Sequence, residues 1–466
     1  MSPATLLPVL LFPSLAMCTT WTVGPGQAHT LPSQVSTLVN DGDTVNIEAG
    51  VYAGDVARWQ ANDLLLRGVG GLAHLESNGL SWGDKAIWVV QGDRTTIEWI
   101  EFSECTSTSN NGAGIRQEGL GLTVRHCWFH HNENGILCGG LHPSTIRIEH
   151  CEFGYNGHGD GFSHNLYIGA VDSLIFRFNY SHHALVGHEL KSRAWVNIIE
   201  YNRFSNEADG TASREVDLPD GGRAILIGNI IQQGPLGQNS NLVGFGMESL
   251  NNPGPQRLYV INNTLMNEKL VGSFFQMPTS VLLKAYNNVL AGGGSFLSVW
   301  PFAPDTAGNI AGPIADLHFV DAPAYDLHLL ASSPALSIGM PAGTTINGYP
   351  LVALWEYVHP LANVERCQQA TLDAGAYENC SMGLADAPPA SAILHPVPAG
   401  EAVTVSGAPN GPAQVQLIDA SGRVLMDRPV VFDGPWRLNI DALATGPYHL
   451  RIAGTRGTAV LRLIKD

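Results

Sequence analysis

Eight short segments of the chain repeat one pattern: β-forming residues interrupted by a single polar or small residue. They are Trp99-Ile-Glu-Phe102, His126-Cys-Trp-Phe129, His150-Cys-Glu-Phe153, Phe178-Asn-Tyr180, Tyr201-Asn-Arg-Phe204, Gly228-Asn-Ile-Ile231, Asn262-Asn-Thr-Leu265 and Asn287-Asn-Val-Leu290. Aligning the central residue gives Ile100, Cys127, Cys151, Asn179, Asn202, Asn229, Asn263 and Asn288, at spacings of 27, 24, 28, 23, 27, 34 and 25. A period in the twenties, rich in β-branched and aromatic residues and without helical periodicity, makes each repeat one coil of a solenoid. The Leu-x-x-Leu-x-Leu signature of a leucine-rich repeat is missing, and a β-propeller needs longer blades. The last five aligned positions are all Asn. In stacked coils about 4.8 Å apart, such amides can bond to one another up a ladder. The expectation is an all-β chain, a parallel β-helix.

Composition agrees. The 466 residues include 52 Gly and 28 Pro, too many interruptions for a long helical bundle but suited to the turns of coils. Lys and Arg number 24 against 41 Asp and Glu, a net charge of −17, which excludes a sequence-independent nucleic-acid binder. With 44% hydrophobic residues the chain can bury a large core, so global disorder is excluded. Length alone suggests roughly three domains. The repeats replace that with one long solenoid and a tail.

Residues 1–18 carry no charged side chain and an apolar run ending in small residues, too short and too Pro-broken to span a bilayer. They read as a secretory signal, and no other segment is long and apolar enough to cross a membrane. Leu15-Ala16-Met17-Cys18 resembles a lipoprotein cleavage box, from which Met17 departs, so lipidation of Cys18 is an alternative. An exported chain allows a disulfide, and Cys367 and Cys380 could close a short loop. No Cys-x-x-Cys pair and no His-Glu-x-x-His occurs, so the familiar zinc spacings are missing.

Residues 19–384 resemble secreted right-handed β-helix proteins of the pectate-lyase-like superfamily. The opening Gly42-Asp-Thr-Val-Asn-Ile-Glu-Ala-Gly-Val-Tyr52 looks like their first coil. Ser333-Pro-Ala-Leu-Ser-Ile-Gly339 with Asp373-Ala-Gly-Ala-Tyr-Glu378 looks like their closing segment. Residues 385–392, rich in Ala and Pro, read as a linker. Residues 393–466 alternate strand-like runs with turns, as in a small β-sandwich. The series His395-Pro-Val-Pro-Ala399, Asp419-Ala-Ser-Gly-Arg-Val424, Leu443-Ala-Thr-Gly-Pro-Tyr448 and the Lys465-bearing end resembles the C-terminal sorting domain of type IX secretion cargo. That resemblance implies the type IX machinery as a partner and a secreted or surface location after export to the periplasm.

Ten of the 17 histidines fall between residues 126 and 188, most of them expected as ladder or turn residues. Three neighbouring coils carry richer chemistry. Strand side chains alternate between faces. With Leu166 and Ile168, Leu190 and Ser192, and Val216 and Leu218 inside, the outward residues become Asn165 and Tyr167; Glu189, Lys191 and Arg193; Glu215 and Asp217. The offsets from Asn165 to Glu189 and from Glu189 to Glu215 are 24 and 26, matching the coil period. One column is then Asn165, Glu189 and Glu215, and the next is Tyr167, Lys191 and Asp217.

An Asn carbonyl beside two stacked carboxylates suits Ca2+, a hard ion that prefers oxygen. β-Elimination of a uronic acid needs a cation to neutralise the carboxylate, a base for the C5 proton and a donor for the leaving oxygen. Lys191 is the candidate base, Tyr167 or His188 the donor, and Arg193 the anchor, with Arg214 and Asp217 as further substrate-binding residues. The same alternating charges would also form a solvated ion ladder contributing little.

Glu189-Leu-Lys-Ser192 followed by Ile199-Glu-Tyr-Asn-Arg-Phe204 resembles the polysaccharide lyase family containing chondroitinase B and many alginate lyases. The resemblance implies Lys191 as base and Asn165 and Glu189 as calcium ligands, acting on an anionic polysaccharide. The next coil carries Asp217-Leu-Pro-Asp220 where that family has Arg-His-Gly. Either Arg193 or Arg214 substitutes, or the reaction differs. The alternatives are a glycoside hydrolase using a pair among Asp209, Glu215, Asp217 and Asp220, and a non-catalytic glycan-binding protein.

Overall fold

The computed structural model describes residues 18–367, 369–380, 393–395, 399–408, 411–419, 423–454 and 457–465. The segment read as a secretory signal and the stretch 385–392 read as a linker therefore lie outside the described residues, except Cys18, which is exposed. The chain divides into two compact units, Met1–Asn379 and Cys380–Asp466.

The first unit is a parallel β-helix. Each full coil contributes three short strands, as in Leu190–Ser192, Val196–Glu200 and Arg203–Ser205. One row forms a ten-stranded sheet from Ala57–Trp59 to Ser295–Leu297, and the other two rows belong to a 21-stranded sheet. Every pairing in these sheets is parallel; Ile198, for example, lies opposite Ile225 in the next coil. Successive coils stack equivalent side chains. Phe102, Phe129 and Phe153 are buried and stacked with nearly parallel rings at 4.9 and 4.8 Å, which is the strand spacing itself.

The repeat seen in the sequence has a structural cause. The residue before each aligned position sits at a corner in the left-handed region: Trp99, His126, His150, Phe178 and Tyr201 have φ of 59°, 52°, 55°, 58° and 56°. A left-handed non-glycine backbone costs free energy. Stacking offsets it here, because these rings form a continuous outer ladder with centroids 4.5 to 5.5 Å apart. Gly228 ends the ladder, since a Cβ there would stand 2.6 Å from the Tyr201 ring.

After the corner the chain turns inward, and the aligned residues enter the core. Asn179, Asn202, Asn229 and Asn263 each donate Nδ2 to the Oδ1 of the next, at 3.1, 2.9, 2.9 and 3.0 Å, ending on Asn288. The ladder runs one coil further than the sequence pattern suggests: Asn288 donates to Asn309 at 2.8 Å.

The second unit is antiparallel. A three-stranded sheet (Ile393–His395, Ala402–Ser406, Trp436–Asn439) and a four-stranded sheet (Gly411–Asp419, Val424–Phe432, Gly446–Gly454, Gly457–Lys465) share one core, including Val403, Val415, Leu438 and Leu450. Cys367 and Cys380 are both disulfide-bonded. Among the described residues no helix is long and apolar enough to cross a membrane.

Candidate functional site

Three strands of the ten-stranded sheet, Leu166–Ile168, Leu190–Ser192 and Val216–Leu218, carry the candidate residues. Tyr167 pairs with Lys191, and Lys191 with Asp217, so the outward column expected from spacing exists in register. It continues through Gly244 to Gln276. Gly244 leaves the room that Arg214 occupies: a Cβ there would collide with Arg214 Nη1 and come 2.7 Å from Asp217 Oδ1.

The column is held by ion pairs. Lys191 Nζ lies 3.6 Å from Asp217 Oδ2 and 2.8 Å from Glu248 Oε1. Arg193 donates Nε to the Tyr167 hydroxyl at 2.8 Å, Nη1 to Asp220 at 2.8 Å and Nη2 to Glu248 at 2.5 Å. Arg214 Nε stands 3.7 Å from Asp217 Oδ1, while its Nη2 donates to Gln276 Oε1 at 2.6 Å. Arg214 Nη1 is buried and has no partner. Three cations thus meet three carboxylates, and the formal charges cancel. Glu248 is the most open of these groups, its side chain 49% exposed against 12% for Lys191.

Burial sets the protonation states. It raises the Asp217 carboxyl, with Arg214 and Lys191 opposing. It would raise Glu248 too, but the hydrogen bonds from Lys191 and Arg193 outweigh it and hold that carboxyl low. His188 Nε2 is 3.6 Å from Asp217 Oδ2, yet burial pulls its pKa well below the ordinary value, with His164 and Lys191 adding to the fall. His164 stacks on His188 at 4.9 Å and is pushed down to about 3 by burial first and Lys191 second. Both imidazoles are neutral near pH 7.

The column of Asn165, Glu189 and Glu215 is corrected. All three are fully buried and face the interior, not the substrate side. Each precedes the first residue of its strand, where the corner resets the alternation, so it and the next residue both point inward. Asn165 extends an amide ladder: Asn132 donates to Asn156 at 3.0 Å, and Asn156 to Asn165 Oδ1 at 2.9 Å. Asn165 then offers its Nδ2, not its oxygen, to Glu189 Oε2 at 2.5 Å. Ser181 Oγ at 3.0 Å and Ala184 N at 3.0 Å also donate to Glu189. Glu215 Oε1 accepts from Asn206 at 3.0 Å. A carboxylate ringed by N–H and O–H donors, with an amide turned nitrogen-first, does not fit calcium.

The hydrolase set also divides. Asp217 and Asp220 sit at the site. Glu215 is interior, and Asp209 pairs with His183 at 3.1 Å, a residue beside the strand Tyr180–His182 in a different row. Two site residues escaped the sequence reading, Glu248 and Gln276. Glu248 lies just beyond the strand Asn241–Phe245, in the insertion that lengthens one coil to 34 residues. That long interval was its only signal. A groove of about 470 Å³, lined by His150, Phe178, Tyr201, Tyr349 and Trp355, contains none of the sequence-named candidates.

No protein-family model matches the sequence, and no curated protein matches it. Among solved structures the chain is similar to the crystal structure of pectate lyase Pel9A, with a TM-score of 0.52 and 13% identity, over 78% of this chain and 96% of that one. At that identity the likeness concerns the fold: the chain is a parallel β-helix protein built like a pectate lyase.

Proposed function

We propose that the protein is an exported, polysaccharide lyase-like β-helix protein that cleaves a uronic-acid polymer by β-elimination on the Tyr167–Lys191–Asp217 face. The observation that carries this reading is the convergence of Lys191 and Arg193 from one coil with Arg214 from the next, beside the Tyr167 hydroxyl of the preceding coil. The fold shared with a pectate lyase supports it.

In this mechanism Arg193 and Arg214 take the uronate carboxylate, which displaces Glu248, and Lys191 first passes its proton to Asp217. The free amine then removes the C5 proton. The C–H electron pair becomes the C4–C5 double bond as the C4–O bond breaks, and the Tyr167 hydroxyl protonates the leaving oxygen. His188, neutral and accepting from Arg214 N at Nδ1, can offer the leaving oxygen a hydrogen bond from Nε2 but not a proton. The guanidinium groups stabilise the charge that develops on the carboxylate, the role a metal would otherwise have.

Digestion of a panel of uronans, followed by absorbance of the unsaturated product and mass spectrometry, tests this. Lys191→Ala is expected to lower kcat/KM at least about 100-fold, as for loss of a general base. No unsaturated product from any uronan, or full activity in Lys191→Ala, would sink the reading.

Hydrolysis is the second reading. Burial raises the Asp217 carboxyl, as a general acid requires, and Asp220 supplies a second carboxylate. Products with ordinary reducing ends and no new double bond would favour it. Glycan binding without any product, unchanged in Lys191→Ala, would favour a binding protein.

The motif series and the two-sheet core of the second unit support a type IX sorting role. Deleting residues 393–466 should then retain the protein in the periplasm instead of at the surface. Unchanged surface delivery would remove that role.

A further inference from the structure

In a different strand row from the Lys191 face, the early coils bring together His74, Glu101 and His130. These residues lie on Leu65–Glu76, Ile100–Ser103 and Trp128–His130, which belong to three successive coils. His74 is directly opposite Glu101, and His130 is opposite Ser103, two residues along. A two-residue step keeps the same face of a strand, so all three side chains point outward together.

The geometry is convergent. His74 Nε2 lies 3.5 Å and His130 Nε2 3.0 Å from Glu101 Oε1, and the three ligand atoms fall within 4.8 Å of one another. Donors bound at zinc distances in a tetrahedron stand about 3.3 Å apart. His130 Nδ1 is 2.9 Å from His131 Nδ1, so one of those nitrogens carries a proton. With the proton on His130 Nδ1, its Nε2 lone pair points to the shared space, the outer hydrogen bond typical of a metal-binding imidazole. His74 Nε2 also contacts Ser103 Oγ at 2.7 Å, a bond that an arriving ion would replace. Trp128 packs on the His130 ring at 4.1 Å and walls the site. The three side chains are only 14 to 20% exposed, sheltered yet open to solvent.

We propose that His74, Glu101 and His130 form a binding site for a divalent transition-metal ion, with Zn2+ the best match. Two imidazole nitrogens and one carboxylate oxygen suit a borderline ion and leave a fourth position for water. Calcium, which takes six to eight oxygens, is excluded by the same donor set. Because each ligand comes from a different coil, the ion clamps three coils together and stabilises the early solenoid.

Full-length protein is stripped with chelator, dialysed against Zn2+ and separately against Ca2+, and its metal content counted per chain. Wild type should take up one more Zn2+ than His130→Ala or Glu101→Gln, with no such difference for Ca2+. Zinc should raise the melting temperature of wild type alone. His131→Phe keeps a ring to stack on Tyr155, now 5.5 Å from His131, but removes the Nδ1 partner. It should weaken zinc binding about 10- to 100-fold. Equal zinc uptake by wild type and both ligand variants, or no uptake at micromolar zinc, overturns the site and leaves Glu101 as a hydrogen-bond bridge between two imidazoles. Should His130→Ala fail to fold, Glu101→Gln decides alone, because Gln preserves volume and an acceptor oxygen.

Discussion

Asn229→Ala is expected to destabilise the solenoid by about 4–6 kcal/mol, since each buried polar group left unpaired costs about 1–3 kcal/mol. Four hydrogen bonds are lost at once, although Asn202 Nδ2 keeps Phe176 O and Asn263 Oδ1 keeps the residue-229 N–H. Asn202 N and Nδ2 donate to Asn229 Oδ1 at 3.1 and 2.9 Å. Asn229 Nδ2 in turn donates to Ile199 O at 2.8 Å and to Asn263 Oδ1 at 2.9 Å. Asn229 is fully buried, so water cannot replace it. Asn309, at the ladder's end, is half-buried and also accepts from Asn288 and donates to Ala285 O at 2.7 Å. Asn288 N also donates to it at 2.9 Å, so its replacement by Ala removes three bonds. Beside a half-buried position that water can reach, this should cost only about 2–3 kcal/mol, about 1 kcal/mol for each bond. Denaturation midpoints and amide exchange of the flanking strands measure both. Because coils of a solenoid can unfold separately, exchange localises the loss to the neighbours of residue 229. Equal effects at 229 and 309 would show that the ladder is not a buried cooperative unit.

The second large effect is a loss of stability in alkali. Burial pushes the Glu189 carboxyl up to about 8 from an ordinary 4.5, despite hydrogen bonds from Ala184, Ser181 and Asn165 that lower it. Glu215, also fully buried, is raised by burial and further by the neighbouring Glu189 charge. Between pH 4.5 and 8 the folded chain therefore binds more protons than the unfolded chain. Stability is complete below 4.5 and falls as pH rises through 8. A rise of that size corresponds to roughly 5 kcal/mol for Glu189 alone. Urea midpoints should drop steadily from pH 5 to pH 8.5 in wild type and much less in Glu189→Gln. The variant starts lower in acid, because its amide nitrogen faces Asn165 Nδ2, so the slope is the quantity to compare. Parallel slopes in the two proteins would mean that Glu189 does not carry the proton.

The two effects also mark how far the chain could be read in advance. The Asn ladder was visible because every member occupies the same place in a repeat, and one coil's register then dictates the next. Asn309 escaped because in Gly308-Asn-Ile-Ala311 an Ala stands where the other segments end in a large β-former. The column of Tyr167, Lys191 and Asp217 was legible for the same reason. Strand alternation and a period of 24 to 26 residues suffice to stack them. Asn165, Glu189 and Glu215 obeyed the period but not the alternation, because each stands at the corner directly before its strand. The period places residues along the coil, and it does not say how the backbone turns between strands.

From the sequence alone come the β-helix, its coil boundaries, the amide ladder and the outward Lys191 column, all consequences of local β-propensity repeated at one interval. Tertiary structure alone decided which carboxylates are sealed inside, that Glu248 reaches back to Lys191 and Arg193, and that His74, Glu101 and His130 meet. Each of these depends on the direction of a corner or an insertion, or on contacts between residues 27 to 57 positions apart. Such contacts leave no short motif in the chain, because stacking brings them together and sequence adjacency does not.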